Sequence, residues 1–528
     1  MHSPFKDLLY TNAVPSDAER NDIRGLLEGP LKQVAELTKE LSRLQAFIDA
    51  ASKERNELQE SIDAHLALVS PARQLPDDIV RAIFVACLPS TRNPAMSGAE
   101  APLLLCQICR SWRSIALTTP RLWASIHIVV PTQSKLEAVT ATVAAWLARA
   151  GTVPLHISMV FSQTAHAFTG YDISSLLSVL VAASLRWNDI RLALPQYGAG
   201  SALFSLSSKD VPVLQTLALA GVPSTIDTTL RAPPNPLSFL ATKSLRSIVI
   251  PSWNYFLQSS VSWEYLNHLT IKNKSDATYN SILSILRKCP RLETCEIPVH
   301  GKLGDILPQE HFTLPRLSHL SIRYSHIPSD SHYFTHMTLP ALRSLHCHIP
   351  TLPPDVALTS VVPSPTLLER FRVEMRNIKS STLLAALSHM PSLRELQILG
   401  EPVDEICRTQ DPEFLVHLTP SPDAPGAVLC PRLECIELMG FGKVSDETLL
   451  KFIQARTGSH FHDVSRLSRV NLLINREMQL DIRQHLQDAV ARGLQMYVQY
   501  PAPSRSEYSP FEGTELPSRG WRWGVSPS

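Results

Sequence analysis

The chain has 528 residues, 44% hydrophobic and 18% charged, with 49 basic against 48 acidic side chains and a net charge of +1. That apolar fraction excludes disorder throughout, and the charge balance excludes nucleic-acid binding through a global basic excess. Nineteen glycines against 41 prolines disfavour dinucleotide folds and phosphate loops, and suit a chain that stops many short elements regularly. Nine cysteines spread from Cys87 to Cys435 form no compact framework, and the start Met1-His-Ser-Pro-Phe-Lys6 is polar. Both point to a reducing compartment, cytoplasm or nucleus. Asn273-Lys-Ser275 then reads as a chance match to a glycosylation site. The longest apolar stretches, such as residues 176–185, fall short of the ~20 residues of a membrane span.

Residues 1–29 show no period and are expected as a flexible N-terminus. Gly29-Pro30 signals helix entry, and a helix is expected over 30–70. Its seam is Val34, Leu37, Leu41, Leu44, Ile48, Ala51, Arg55, Leu58, Ile62 and His65, with spacings that alternate three and four. A stripe this narrow is the seam of a coiled coil rather than the wider face of a core helix. Two readings stay open, a homodimer through residues 34–65 and packing of the seam onto the rest of the chain. Leu75-Pro76-Asp77-Asp78 opens a second helix, carried by Ile79, Val80, Ile83, Phe84 and Cys87. A small, polar loop spans residues 89–102. The next helical run is expected over 103–117, with Leu105, Ile108, Cys109, Trp112, Ile115 and Ala116 as its apolar face.

From about residue 187 to 472 an apolar–x–x–apolar–x–apolar phrase recurs, as in Leu266/Leu269/Ile271, Leu317/Leu320/Ile322 and Leu393/Leu396/Ile398. From Leu266 to Leu393 its first positions are 26, 25, 25, 26 and 25 residues apart. Proline stands two residues ahead of it at Pro212, Pro290, Pro315, Pro340, Pro391 and Pro431, where it stops a helix and starts an extended segment. Helical stretches, such as 279–288, 381–389 and 446–455, lie between phrases. Strand plus helix every ~25 residues is the period of a leucine-rich repeat. The fold class is therefore an α/β repeat: a long N-terminal helix, a small all-α unit over 71–125, and an irregular solenoid over 126–500 with a parallel sheet on its concave face. The asparagine or cysteine usual after the phrase is missing, with Val222, Ser325, Glu401 and Phe441 in its place, so irregular curvature is expected. Residues 480–494 read as a final helix and 496–500 as a capping strand. The tail, 501–528, reads as disordered. Its Trp521-Arg-Trp523 is either a docking point or an unremarkable part of that tail.

The segment Leu75-Pro-Asp-Asp-Ile79-Val-Arg-Ala-Ile83-Phe84, then Ile108-Cys109-Arg-Ser-Trp112-Arg, then Pro120-Arg-Leu122-Trp123, resembles an F-box. With the heptad helix before it and leucine-rich repeats behind it, the arrangement is similar to that of fungal F-box proteins. Asp78 stands where glutamate is usual, and the 89–102 loop is longer than in compact F-boxes. The resemblance implies docking onto the Skp-type adaptor of an SCF ubiquitin ligase, and through it onto a cullin. The implied adaptor-facing residues are Leu75, Pro76, Ile79, Ile83, Phe84, Ile108, Cys109 and Trp112. Ile115, Leu122 and Trp123 are expected instead to pack internally.

No Gly-x-Ser-x-Gly elbow, phosphate loop or His-Glu-x-x-His motif occurs, so no enzyme activity and no cofactor is expected. His332/His336 and Cys106/Cys109 are lone pairs, too weak to call a metal site. Between the apolar positions of the phrases fall His268, Lys272, His319, Arg323, Ser344, His346, His348, Arg370 and Arg372, with Glu296 and Glu374 as exceptions. Strand alternation puts these residues on the open sheet face. They form either a stripe that receives an acidic or phosphorylated protein client or an ordinary solvated face. The expected function is a non-catalytic substrate receptor of a ubiquitin ligase. The alternative is an assembly scaffold outside any ligase.

Overall fold

The structure, a computed structural model, describes residues 4–69, 71–161, 172–194, 201–221, 237–250, 259–272, 279–299, 310–324, 336–349, 358, 362–363, 365–375, 380–400, 413–421, 428–441, 444–458 and 463–500. The chain divides into two units, Met1–Ile83 and Phe84–Ser528. The expected tail, three of the four positions that lack the usual asparagine, and His332 lie outside the described residues. No described helix is long and apolar enough to cross a membrane.

The first unit is dominated by α1 (Asp17–Leu68), 52 residues long. The expected start at Pro30 is wrong by thirteen residues, because Ser16 and Glu19 form a capping box that nucleates the helix at Asp17. Pro30 therefore lies inside α1, where it forgoes one amide hydrogen bond. The apolar seam residues Val34, Leu37, Leu41, Leu44, Ile48, Leu58 and Ile62 are 47–66% exposed. Helix α2 (Asp77–Ala86) follows, with Asp77 and Asp78 in its first turn, and the division between the units falls inside it.

In the second unit, α3 (Leu105–Ile108) and α4 (Arg110–Leu117) replace the single helix expected over 103–117. The break is at Cys109, whose extended backbone makes it the N-cap of α4, with Sγ accepting from the Trp112 amide at 3.4 Å. Periodicity could not reveal this, since the apolar spacing runs on across the break. Phe84 packs edge-on against Trp112, ring centroids 4.9 Å apart. Leu105, Ile115, Leu122 and Trp123 are buried. These short helices are too small to hold a core alone, and residues 84–125 fall in the same unit as the sheet.

A parallel sheet begins at Ser125, two residues after Trp123. Its strands are β1 (Ser125–Val130), β2 (Leu155–Phe161), β3 (Trp187–Leu194), β4 (Thr216–Gly221), β5 (Ser247–Ile250), β6 (His268–Ile271) and β7 (Thr294–Val299). After β8 (Phe312–Thr313) it continues with β9 (His319–Tyr324). After β10 (Met337–Thr338) come β11 (Ser344–Ile349), β12 (Arg370–Met375), β13 (Glu395–Leu399), β14 (Cys435–Phe441), β15 (Arg469–Ile474) and β16 (Gln495–Gln499). Among the described residues, fourteen strands pair in chain order, and only β8 and β10 stand apart as a two-stranded pair. Every strand from the repeating phrase is where the phrase predicts it. β1 carries the same phrase, Trp123/Ile126/Ile128, whereas β2 shows plain alternation, Leu155/Ile157/Met159.

A parallel sheet covered on both faces reads as continuous apolar runs. Here each strand alternates instead: in β9, Leu320, Ile322 and Tyr324 are buried while His319, Ser321 and Arg323 lie outward. One face is thus open. The helices lie side by side: α5 (Leu136–Arg149) beside α6 (Ser174–Ala182), α6 beside α7 (Ser201–Phe204), then, after α8 (Tyr279–Leu286), α9 (Ser380–Leu387) and α11 (Asp446–Thr457) on either side of α10 (Glu413–Leu418). Each strand leucine buried fully contributes about 1.5–3 kcal/mol. In β14, Gly440 takes φ +84° at a bulge, and a Cβ there would meet the Gly400 carbonyl oxygen at 2.7 Å. Only glycine fits.

The final helix expected over 480–494 is two short ones, α12 (Ile482–His485) and α13 (Gln487–Ala491), before the closing strand β16. At this end, Asp446 in the first turn of α11 is buried. It accepts from Arg476 Nη2 at 2.6 Å, from the amides of Gln479 and Leu480 at 2.7 and 2.9 Å, and from the Tyr500 hydroxyl at 2.8 Å.

Candidate functional site

Two surfaces carry the residues singled out by the sequence. On α2, Val80 and Phe84 are buried, whereas Ile79 and Ile83, one turn apart, are 45% and 42% exposed, and Leu75 and Pro76 at its entrance are exposed. An amphipathic helix of ten residues that leaves isoleucines in water has its apolar face only partly covered.

In the second unit Ile108 is 54% exposed, Cys109 is exposed, and Leu104 and Leu117 add exposed apolar surface. Phe84 is fully buried and Trp112 half-buried against it. Phe84 is thus a support for the surface rather than part of it, which corrects its expected place among the facing residues. Leu104 and Leu117 were missed, because their exposure depends on the break at Cys109. The 89–102 loop is tied down. Arg92 donates to Glu100 at 3.0 Å, and that pairing with the Ala95 amide holds the Glu100 carboxyl down to about 2. Asn93 Nδ2 donates to Ser158 Oγ at 3.1 Å, and the His127 amide donates to the Pro94 carbonyl at 2.7 Å. Long as it is, the loop anchors the short helices to β1 and β2.

The second surface is the open sheet face. Register places His268, Thr294, His319, Ser344 and Arg370 in one row, and Glu296, Ser321, His346 and Arg372 in the next. A basic, histidine-rich stripe with Glu296 and Glu374 as exceptions was expected; those two carboxylates turn out to be its hubs. Glu374 accepts from Arg372 Nε at 3.0 Å and contacts His346 and His348 at 3.1 and 3.0 Å. Glu296 pairs with Lys272 at 3.7 Å and Arg323 at 3.4 Å, while Arg323 also donates to the Ile271 carbonyl at 2.8 Å. Strand pairing, not chain proximity, brings these charges together.

Two of the histidines are held towards the neutral form. Burial pushes the His346 imidazole below its ordinary value, against the pull of Glu374, and burial with Arg370 does the same at His319. Arg370 Nη2 donates to His319 Nε2 at 2.7 Å, and the other His319 nitrogen meets Ser318 Oγ at 2.9 Å. Arg370 is exposed on the same strand as Glu374, with His319 as its hydrogen-bond partner and Glu395 opposite it on β13; His268 is exposed at the edge of the group. Arg370 is thus an exposed guanidinium of the stripe hydrogen-bonded to an imidazole rather than to either hub.

Among the described residues, no group of three or more His, Cys, Asp or Glu side chains could hold a metal ion. Cys106 is half-buried and its thiol is raised by burial. No protein-family model matches the chain, and no curated protein matches it either.

Proposed function

We propose that the chain is an F-box protein with a leucine-rich-repeat-like solenoid, acting as the non-catalytic substrate receptor of an SCF-type ubiquitin ligase. Leu75, Pro76, Ile79, Ile83, Ile108, Cys109 and the edge of Trp112 dock the Skp-type adaptor, and the concave sheet face holds a protein client. The observation that carries this reading is the exposure of isoleucines and leucines at the motif positions, while Leu122 and Trp123 of the same motif are buried. Exposed anchors beside a rigid packed base are what helix-in-groove docking requires. The stack of parallel strands at a ~25-residue period supports the solenoid half of the proposal. Ubiquitin transfer falls to other subunits, in cytoplasm or nucleus.

The test is capture of the Skp-type adaptor by the full chain, wild type against Leu75→Ala/Pro76→Ala. Loss of two central anchors weakens binding by at least about 100-fold, with an unchanged thermal transition because both residues are exposed. A folded wild type that captures no adaptor overturns the reading and favours an assembly scaffold outside any ligase.

The client face takes an acidic or phosphorylated segment, centred on Arg370. On a phosphopeptide array, Arg370→Glu in the full chain lowers retention roughly tenfold or more, since a guanidinium–phosphate pair becomes a repulsion. Arg372→Glu acts differently: it places a carboxylate beside Glu374 and destabilises the hub. Retention undiminished by Arg370→Glu removes the anionic client from the proposal and leaves adaptor docking standing.

A further inference from the structure

Helix α1 presents a second interaction surface that the ligase reading does not use. Its seam runs over roughly 50 Å with its apolar side chains in water. Written as heptads, the a positions are Val34, Leu41, Ile48, Arg55 and Ile62, and the d positions are Leu37, Leu44, Ala51, Leu58 and His65. β-Branched residues dominate a and leucine dominates d, the combination that favours two parallel strands. The e positions Thr38, Gln45, Ser52 and Gln59 are uncharged, while Glu40 and Glu54 occupy g. A parallel pair thus sets glutamate against glutamine across the seam, with no like-charge clash.

Arg55 decides the alignment. Within one chain its guanidinium finds the amide oxygen of Asn56, at 2.9 and 3.3 Å, and no carboxylate among the described residues. In a parallel, in-register pair, a residue at a packs beside the preceding g residue of the other helix. Arg55 then meets Glu54 of the second copy, twice per dimer, and the two arginines stay apart at the seam's edges. An antiparallel pair over the same stretch sets Arg55 against Leu44 of the second copy and strands the charge on an apolar surface.

We infer that α1 is the interface of a parallel, in-register homodimer of this chain, with Arg55–Glu54 bridges that fix its register. One polar a position that specifies register at some cost in stability is a known coiled-coil device. Such a dimer carries two copies of every other surface on the chain, so a client with two recognition segments is held with avidity even where each contact is weak.

The test uses the full chain in sedimentation equilibrium. Wild type sediments as a dimer at micromolar concentration. Leu41→Asp/Leu44→Asp raises the dimer dissociation constant on the order of 100-fold. Glu54→Lys raises it roughly tenfold, and the exchange Glu54→Arg/Arg55→Glu restores most of the loss. Orientation is read with Leu37→Cys: oxidation yields a disulfide-linked peptide pair from position 37 only if the helices are parallel, since antiparallel helices hold those positions tens of ångströms apart. A wild-type monomer, or a dimer that tolerates aspartates at 41 and 44, overturns the interface. A dimer without the linked peptide pair overturns its parallel register. Adaptor capture is measured on the same seam variants, so failure of pairing and failure of the ligase reading are told apart.

Discussion

Trp123→Ala is expected to destabilise the start of the sheet by about 3–5 kcal/mol, the usual cost of truncating a fully buried aromatic residue. Trp123 is 1% exposed and meets Trp146 of α5 edge-on with ring centroids 4.8 Å apart. The Arg149 guanidinium lies 4.9 Å from its ring, and its Nε1–H donates to the Ala116 carbonyl at 2.8 Å. One side chain therefore joins α4, α5 and the entry to β1. Its loss opens a cavity and removes one of the hydrogen bonds to the Ala116 carbonyl, which keeps the Thr119 amide at 3.2 Å. Amide hydrogen exchange is the measurement of choice, because each strand touches only its neighbours and opening need not be all-or-none. Amides of β1 and β2 lose protection first in the variant, and those of β14 to β16 stay as in wild type. Trp123→Phe keeps most of the apolar contact, loses the hydrogen bond, and costs less. Uniform loss of protection along all strands would contradict this account.

The second large effect lies at the other end of the sheet. Asp446→Ala is expected to cost about 3–5 kcal/mol, because it leaves the Arg476 guanidinium facing an apolar gap with two amides and a hydroxyl unpaired. The effect depends on pH with a definite sign. Burial raises the Asp446 carboxyl, but Arg476, the amides of Leu480 and Gln479, and Tyr500 together outweigh it and hold the carboxyl below its ordinary value. A group whose pKa is lower folded than unfolded contributes stability in full above its unfolded value, and that contribution is lost as pH falls through the folded one. The gap between wild type and Asp446→Ala is therefore constant from pH 7 down to about pH 5 and narrows below about pH 4. Exchange of the β15 and β16 amides at several pH values reads it directly. A gap that stays constant down to pH 3 would show that the carboxylate charge does not hold this cap.

The two predictions share a cause with what could and could not be read along the chain. The apolar–x–x–apolar–x–apolar phrase, with proline two residues ahead at six of its copies, is a local signal, and the strands from Leu217 to Leu472 sit where it puts them. β1 carries the phrase but follows directly on the F-box-like motif, and in β2 the position three residues before Ile157 is Pro154 rather than a large apolar residue, so that part of the sheet was not found by the repeat. The start of α1 was legible in Ser16-x-x-Glu19 and was masked by the stronger cue at Pro30. Nothing local marked the break at Cys109, because a cysteine thiol is a rare helix cap and the apolar period continues through it.

Alternation along each strand by itself determined which residues turn inward and which turn outward, and the period of α1 placed its seam on one side of the helix, since side-chain direction follows from backbone period alone. Charge on the open face was decided only by the tertiary structure. Lys272, Glu296 and Arg323, like His346, His348, Arg372 and Glu374, become neighbours through strands some 25 residues apart, while Arg370 stays exposed with His319 as its hydrogen-bond partner. Exposure of Ile108 against burial of Leu105 was decided the same way. Both are apolar residues of one short helix, and only the position of that helix on the sheet core says which of them meets water.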